Sequence, residues 1–213
     1  MTKKSFKERL EENHPPTGNY KRLLEMPMLI PPESFGYDGS NENVLEELLN
    51  NVTSVLQQTP EYALYITGTT DNGYAFVHNK KDNTLDYCLN YVKTTEFFGT
   101  GVTVAVVWNN SNSPYTKGVT DYIIFRFLLR IHKRLISDSA FTEQGKTWWV
   151  NLMKKAATKM RMYSIYIFSK EHETVEKYNW DEPIDIWIKD NASAWGPETE
   201  MTDFRFIITE GSL

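Results

Sequence analysis

The segment from Val102 to Phe168 constrains the fold most. In it, an apolar strand pattern, a long basic helix pattern, a short link, an amphipathic helix pattern and another apolar strand pattern follow one another. This order brings the start of a helix to the end of a buried strand. Proteins of the α/β class often hold a phosphate-bearing ligand there, because free main-chain amides and the helix dipole favour negative charge. The pattern indicates a binding site and names no reaction.

The chain of 213 residues is long enough to bury one good core. Its single cysteine, Cys88, cannot form an internal disulfide, which fits a reducing compartment. The N-terminus lacks the apolar run of a signal peptide, and the longest apolar stretches elsewhere are interrupted by charges. We therefore expect a cytoplasmic protein that does not enter a membrane.

Charge is unevenly distributed along the chain. The net charge of -5 by itself argues against a nucleic-acid partner. Residues 114–160 nevertheless carry nine Lys or Arg against three Asp or Glu, and residues 171–210 carry eleven acids against three bases. Two interpretations stay open: these are solvated faces of one globule, or the basic region attracts an anionic ligand.

The first 40 residues differ in composition from the rest. Lys3–Glu12 has the spacing of a short amphipathic helix, and Asn13–Gly39 contains five prolines and three glycines, which favours an extended arm. The apolar residues of this arm predict that it covers the body of the protein or a partner. We assign residues 1–40 to this helix and arm, and residues 41–213 to a single α/β domain whose C-terminal part is acidic.

Periodicity predicts the elements of that domain. A helix over Asn41–Gln58 comes first, followed by an antiparallel meander with at least one solvated face and a central strand that is covered on both faces. Two helices and up to four strands complete it. The predicted strands are Tyr62–Thr67, Gly73–His78, Thr84–Lys93, Val102–Trp108, Arg134–Asp138, Met162–Phe168, Pro183–Lys189 and Thr202–Thr209, and the later helices are Val119–Lys133 and Glu143–Met160, the last capped by Thr142. The predicted fold class is α/β, with a mixed, largely antiparallel central sheet flanked by helices.

This order of elements resembles the GNAT superfamily of N-acyltransferases over about Asn41–Phe168 and Thr202–Thr209. A narrower likeness lies in Arg134-Leu-Ile-Ser-Asp138, Thr142-Glu-Gln-Gly145 and Trp149-Val-Asn-Leu152, which resemble a pattern in GNAT-like proteins of tailed phages. The resemblance implies acetyl-CoA as cofactor and, for a phage protein, the host cytoplasm or the virion as location.

In typical GNAT enzymes, the acyl-CoA pyrophosphate rests on main-chain amides in a Gln/Arg-x-x-Gly-x-Gly/Ala turn at the start of the helix after the central strand. The matching stretch here is Ser113-Pro-Tyr-Thr-Lys-Gly-Val-Thr120, which has one glycine instead of the spaced pair. The cofactor-binding residues that the resemblance implies are Ser113, Thr116, Lys117, Gly118 and Thr120. The alternative is a plain surface loop with a helix cap at Thr116 or Thr120.

GNAT chemistry needs a base for the amine and a proton donor for the departing thiolate. The resemblance points to Ser137 and Asp138 at the end of the short strand, and to Tyr163 after the second helix, as catalytic residues. Each has a structural alternative, since Ser137 and Asp138 fit a turn and a tyrosine in a strand often packs against neighbours.

Histidines at 14, 78, 132 and 172 lack the spacing of metal ligands, so we predict no metal site. Two functions remain. One is a diverged acyl-CoA-dependent N-acyltransferase. The other is a non-enzymatic phage-type protein that binds a protein partner, or assembles into a homo-oligomer, through its N-terminal arm and aromatic surface.

Overall fold

The computed structural model describes residues 40–96, 98–110, 112–138, 141, 143–159, 162–196 and 202–213. The predicted helix Lys3–Glu12, the predicted arm Asn13–Gly39 and the predicted cap Thr142 lie outside these ranges. The fold is α/β with a mixed, largely antiparallel sheet, which confirms the predicted class.

Helices are interspersed among the strands along the described residues. The strands are β1 (Val52–Gln58), β2 (Tyr62–Gly68), β3 (Asn72–Asn79), β4 (Thr84–Glu96), β5 (Gly99–Asn109), β6 (Arg134–Ile136), β7 (Tyr163–Ser169), β8 (Thr174–Lys177) and β9 (Phe204–Glu210). The α-helices are α1 (Ser40–Asn50), α2 (Val119–Tyr122), α3 (Leu129–His132), α4 (Glu143–Ala157) and α5 (Ile184–Asp190). A π-helical segment, Ile123–Leu128, joins α2 to α3, and a 3₁₀ turn, Ala192–Trp195, follows α5.

The chain divides into two compact units. Unit 1 takes the described residues of Met1–Val92 and Ala105–Thr120, and unit 2 takes those of Lys93–Val104 and Asp121–Leu213. Strands β4 and β5 contribute residues to both. That residues 41–213 form one domain stays a prediction.

In unit 1, the hydrogen-bonded strand order is β1-β2-β3-β4-β5. The pairs β1–β2, β2–β3 and β3–β4 are antiparallel, which confirms the predicted meander. One face of this sheet carries a core cluster with the apolar side of α1. The cluster consists of Val44, Leu45, Leu48, Tyr74, Phe76, Leu85, Cys88 and Trp108. Cys88 is buried as predicted, and burial raises the pKa of its thiol.

In unit 2, the strand order is β4-β5-β6-β9-β7-β8. Strand β6 is parallel to β5 and antiparallel to β9, whereas β7 is antiparallel to both β8 and β9. All seven residues of β7 are buried, as are the five central residues of β9. These two buried strands form the centre of unit 2.

Three local predictions are wrong. The helix predicted over Asn41–Gln58 ends at Asn50, because Val52–Gln58 pairs with β2, and its β-branched residues favour a strand once a partner is available. The strand predicted over Pro183–Lys189 is α5, which starts after Pro183 and buries Trp187. The solvated face predicted for the meander is absent over Leu85–Tyr91 of β4, where every residue is buried.

A β-bulge interrupts the ladder between β3 and β4. Val77 pairs with Tyr87 and His78 pairs with Leu85, which leaves Asp86 as the extra residue of β4. Asp86 has no exposed surface. The extra residue of this bulge is therefore a carboxylate that lies inside the protein.

Tyr91 gives unit 1 a pH dependence at high pH. The phenol is buried and donates to the main-chain O of Thr69 at 2.9 Å, and burial raises the pKa of Tyr91 to about 12. Because the folded-state pKa lies above the unfolded value of 10.0, stability is complete below pH 10 and is lost as the pH rises toward 12.

We expect Tyr91→Phe to lower the free energy of unfolding by about 1 kcal/mol at neutral pH, the worth of one hydrogen bond. Between roughly pH 10 and 12, the free energy of unfolding of the wild type should fall by up to about 2 kcal/mol, a loss that the variant does not share. The variant therefore becomes the more stable of the two proteins. Urea unfolding of both proteins across this range measures the difference. Parallel stability curves through pH 12 would contradict the assignment.

Candidate functional site

A loop from Asn110 to Gly118 connects β5 to α2 and contains most of the residues that the sequence assigned to cofactor binding. Its start is fixed to β4. The main-chain N–H of Asn110 donates to the main-chain O of Asp86 at 2.9 Å, and Asn110 Nδ2 donates to Asp86 Oδ1 at 3.4 Å. Thr84 Oγ1 donates to the same carboxylate oxygen at 2.9 Å. Asp86 therefore holds the loop by both its backbone and its side chain.

Side chains within the loop form further hydrogen bonds to the loop backbone. Asn110 Oδ1 accepts from the N–H of Asn112 at 3.1 Å, and Ser113 Oγ accepts from the N–H of Tyr115 at 3.2 Å. Thr116 Oγ1 lies within 3.4 Å of the main-chain O of Asn110 and 3.2 Å of that of Ser113. These are the Asx-type and Ser/Thr-type turn bonds that fix a polar loop. These bonds therefore hold the described residues of the loop in one arrangement.

The end of the loop is open. Gly118 adopts a left-handed φ of 78°, and among the described residues no atom beyond Gly118 and its two chain neighbours lies within 4 Å of the position that a Cβ would take there. Lys117 is exposed, and Val119, the first residue of α2, is buried. A ligand can approach the main chain closely at such a glycine.

The hydroxyl groups of Thr116 and Thr120 have partners other than the helix amides. Thr120 Oγ1 bonds Tyr87 Oη at 2.9 Å, and the Thr116 hydroxyl turns back toward Asn110 and Ser113. The N–H of Val119 pairs with the main-chain O of Thr116 at 3.2 Å. Of the five predicted cofactor-binding residues, Ser113, Thr116 and Thr120 thus shape the loop, while Lys117 and Gly118 face open space.

Ser137, the first predicted catalytic residue, joins β6 to β9. It is buried, and its N–H donates to the main-chain O of Phe206 at 2.8 Å. Its Oγ accepts from the N–H of Phe206 at 2.9 Å and donates to the main-chain O of Asp138 at 3.0 Å. The half-buried Asp138 follows directly. Both hydrogen-bonding functions of the Ser137 hydroxyl are therefore occupied by backbone.

Tyr163, the third predicted catalytic residue, contacts the π-helical segment. In this segment the N–H of Leu129 reaches back five residues to the main-chain O of Ile124, and the buried Tyr163 hydroxyl donates to the main-chain O of Phe125 at 3.0 Å. The rings of Tyr163 and Phe125 lie 5.0 Å apart. Burial, reinforced by Glu210, raises the pKa of Tyr163 against the opposing effect of Arg126 and Arg130. The catalytic roles of Ser137, Asp138 and Tyr163 stay predictions.

Sequence reasoning missed Asp86. Its Oδ2 atom is buried and has no hydrogen-bond partner among the described residues, and neither has Oδ1 of Asn109 at the end of β5. The signal in the sequence is an acidic residue between Leu85 and Tyr87, in the apolar and aromatic first half of a strand. That signal fits a solvated strand face equally well, and the alternation of β4 favours such a face.

The described ranges contain neither a metal-binding cluster nor a membrane-spanning helix. No group of three or more His, Cys, Asp and Glu side chains is placed to hold a metal ion in these parts of the chain. None of their helices combines the length and the hydropathy that crossing a bilayer requires.

A scan against models of protein families found no match, and a search of curated proteins also found none.

Removing the carboxylate of Asp86 should loosen the loop. In Asp86→Ala, Asn110 loses the acceptor that orients its amide, so we expect the N–H groups of Asn112 and Tyr115 to exchange with deuterium about fivefold faster, the effect of one hydrogen bond of about 1 kcal/mol. The amides of β2 and β3 should keep their protection. Hydrogen–deuterium exchange with peptide-level resolution measures both.

The matched control is Asp190→Ala, which removes an exposed acid at the end of α5. It should leave loop exchange unchanged. Equal exchange of residues 112–115 in wild type and Asp86→Ala would show that the carboxylate does not hold the loop.

Proposed function

We propose that this chain is a GNAT-like protein that binds an acyl-CoA through the loop from Ser113 to Thr120, and that it is a diverged acyl-CoA-dependent N-acyltransferase. One observation carries the proposal. A loop braced by Asp86 ends in a left-handed glycine with open space above it, immediately before a helical segment. This arrangement supports close approach of a phosphate group to the main chain.

The order of elements supports the same proposal. After α1 come antiparallel strands, the long strand β5, a helical segment, the short parallel strand β6, helix α4, strand β7 and the late strand β9. This is the order on which the GNAT resemblance rests, with β1 added. The ladder between β5 and β6 contains the single pair Val102–Leu135, after which Ser137 bonds to β9. A short parallel pair at a change of strand order is a common setting for ligand sites in α/β sheets.

The charged side chains near the start of α2 are compatible with the binding of an anion. Asp121 stands in the first turn, where a carboxylate would repel a phosphate, but its Oδ1 lies 2.7 Å from Lys155 Nζ. Lys117 is exposed and forms no ion pair within the described residues. Its ammonium group is the natural partner for a phosphate oxygen.

In the proposed reaction, an amine nitrogen attacks the thioester carbonyl carbon, a C–N bond forms, the C–S bond breaks, and CoA leaves as a thiol after taking up a proton. The amine must lose a proton to a base. The hydroxyl groups of Ser137 and Tyr163 are bonded to main-chain atoms, so we assign them to positioning of β9 and of the π-helical segment in this proposal. Self-association through the N-terminal arm, the alternative, depends on residues outside the described ranges.

Binding of acetyl-CoA to the wild type and to Lys117→Glu tests the proposal. We expect the charge reversal to weaken binding about tenfold or more, because a charge-assisted hydrogen bond to phosphate is worth about 1.5–3 kcal/mol. Isothermal titration calorimetry measures the dissociation constants, and release of free thiol in the presence of amines reports transfer.

The matched control is Lys81→Glu, which reverses an equally exposed charge in the turn between β3 and β4. It should bind acetyl-CoA as the wild type does. A wild type that shows no heat of binding at millimolar acetyl-CoA, or equal losses in both variants, would contradict the proposed site.

A further inference from the structure

Unit 1 contains a stacked aromatic pair, and one of its two residues lies in the loop between β5 and α2. The rings of Tyr62, at the start of β2, and Tyr115, in the loop, stack with centroids 5.1 Å apart and planes inclined by 28°. Both side chains are only partly buried. An aromatic ring that is packed on one side and still partly exposed offers a flat apolar surface to a ligand.

Hydrogen bonds hold the ring of Tyr62 and the backbone of Tyr115. Tyr62 Oη accepts from Gln57 Nε2 at 2.7 Å, and the N–H of Tyr62 donates to Thr59 Oγ1 at 3.1 Å. The backbone of Tyr115 is tied to Ser113 Oγ. Because the ring pair is already ordered, a ligand that stacks on it loses less conformational entropy on binding.

Three kinds of contact therefore follow one another within four residues. Tyr115 supplies an aromatic face, Lys117 supplies an exposed cation, and Gly118 supplies an open main chain. A nucleotide needs these contacts, since its base stacks, and its phosphates bind cations and main-chain N–H groups.

We infer that Tyr115, supported by Tyr62, is the stacking surface for the base of a nucleotide-bearing acyl carrier, so that the chain recognises the adenosine part of CoA and not only its phosphopantetheine arm. The inference rests on the proposed function and deepens it. Acyl carriers that present the acyl group on phosphopantetheine without a nucleobase are then excluded as donors. The specificity for the acyl donor then depends on contacts between its nucleotide part and the loop that precedes α2.

The test compares three ligands and three proteins by isothermal titration calorimetry. The ligands are CoA, 4′-phosphopantetheine and adenosine 3′,5′-bisphosphate, and the proteins are the wild type, Tyr115→Leu and Tyr115→Phe. Leucine keeps apolar contact with Tyr62 but has no aromatic face, whereas phenylalanine keeps the face. Circular dichroism and thermal unfolding check that the variants are folded.

We expect the wild type to bind CoA about tenfold or more tightly than 4′-phosphopantetheine, as stacking of one base predicts. Tyr115→Leu should abolish this preference and lose adenosine 3′,5′-bisphosphate binding, and Tyr115→Phe should stay within about twofold of the wild type.

The outcomes separate the two proposals. Wild type that binds CoA and 4′-phosphopantetheine equally, with no effect of Tyr115→Leu, overturns the stacking inference and leaves the proposed function standing. Binding of adenosine 3′,5′-bisphosphate, lost in Tyr115→Leu, without binding of CoA supports the stacking surface and overturns the acyl-CoA proposal. Binding of none of the three ligands overturns both.

Discussion

The buried carboxylate of Asp86 is the interaction on which the candidate site depends. Asp86 is the extra residue of a β-bulge in β4, and its backbone and one carboxylate oxygen hold Asn110. A buried carboxylate is costly unless its oxygens have partners; Oδ1 accepts from Thr84 and Asn110, whereas Oδ2 has no partner among the described residues. The turn bonds that follow carry this order through Ser113 and Thr116 to Gly118. The shape of the loop is thus decided by a residue more than twenty positions earlier in the chain.

Several polar side chains of this protein form hydrogen bonds within the protein, mostly to main-chain atoms. The hydroxyl groups of Ser137 and Tyr163 bond main-chain atoms, and that of Thr120 bonds a tyrosine. The physical reason is that irregular features, a strand end after β6 and a π-helical segment, leave main-chain groups that need partners inside the protein. Among the five predicted cofactor-binding residues, the exposed ones are Lys117 and Gly118. This difference is why the proposals rest on the loop.

Much of the fold follows from periodicity, and the exceptions have physical causes. Some elements have a residue pattern that fits only one type of secondary structure well. They are the meander, strand β5, the short strand β6 and helix α4. Val52–Gln58 and Ile184–Asp190 are ambiguous, because the first continues a helical stripe and the second alternates like a strand. Pairing with β2 decides the first, and burial of Trp187, whose indole donates to Glu176 at 3.0 Å, decides the second. The position of the loop between β5 and α2 was predictable from the sequence, whereas the hydrogen bonds that hold this loop to β4 were not.

By itself, the sequence determined the α/β class, the buried strand before a helical segment, and the segment in which Lys117 and Gly118 stand, because apolar spacing and glycine are local signals. Only the tertiary structure decided that Asp86 is buried, that Tyr115 stacks on Tyr62, and that the Ser137 and Tyr163 hydroxyls bond the backbone. Each of these joins residues that are distant in the chain. Such contacts depend on strand register and on a bulge, and a change of one residue in register reverses the face on which a side chain lies.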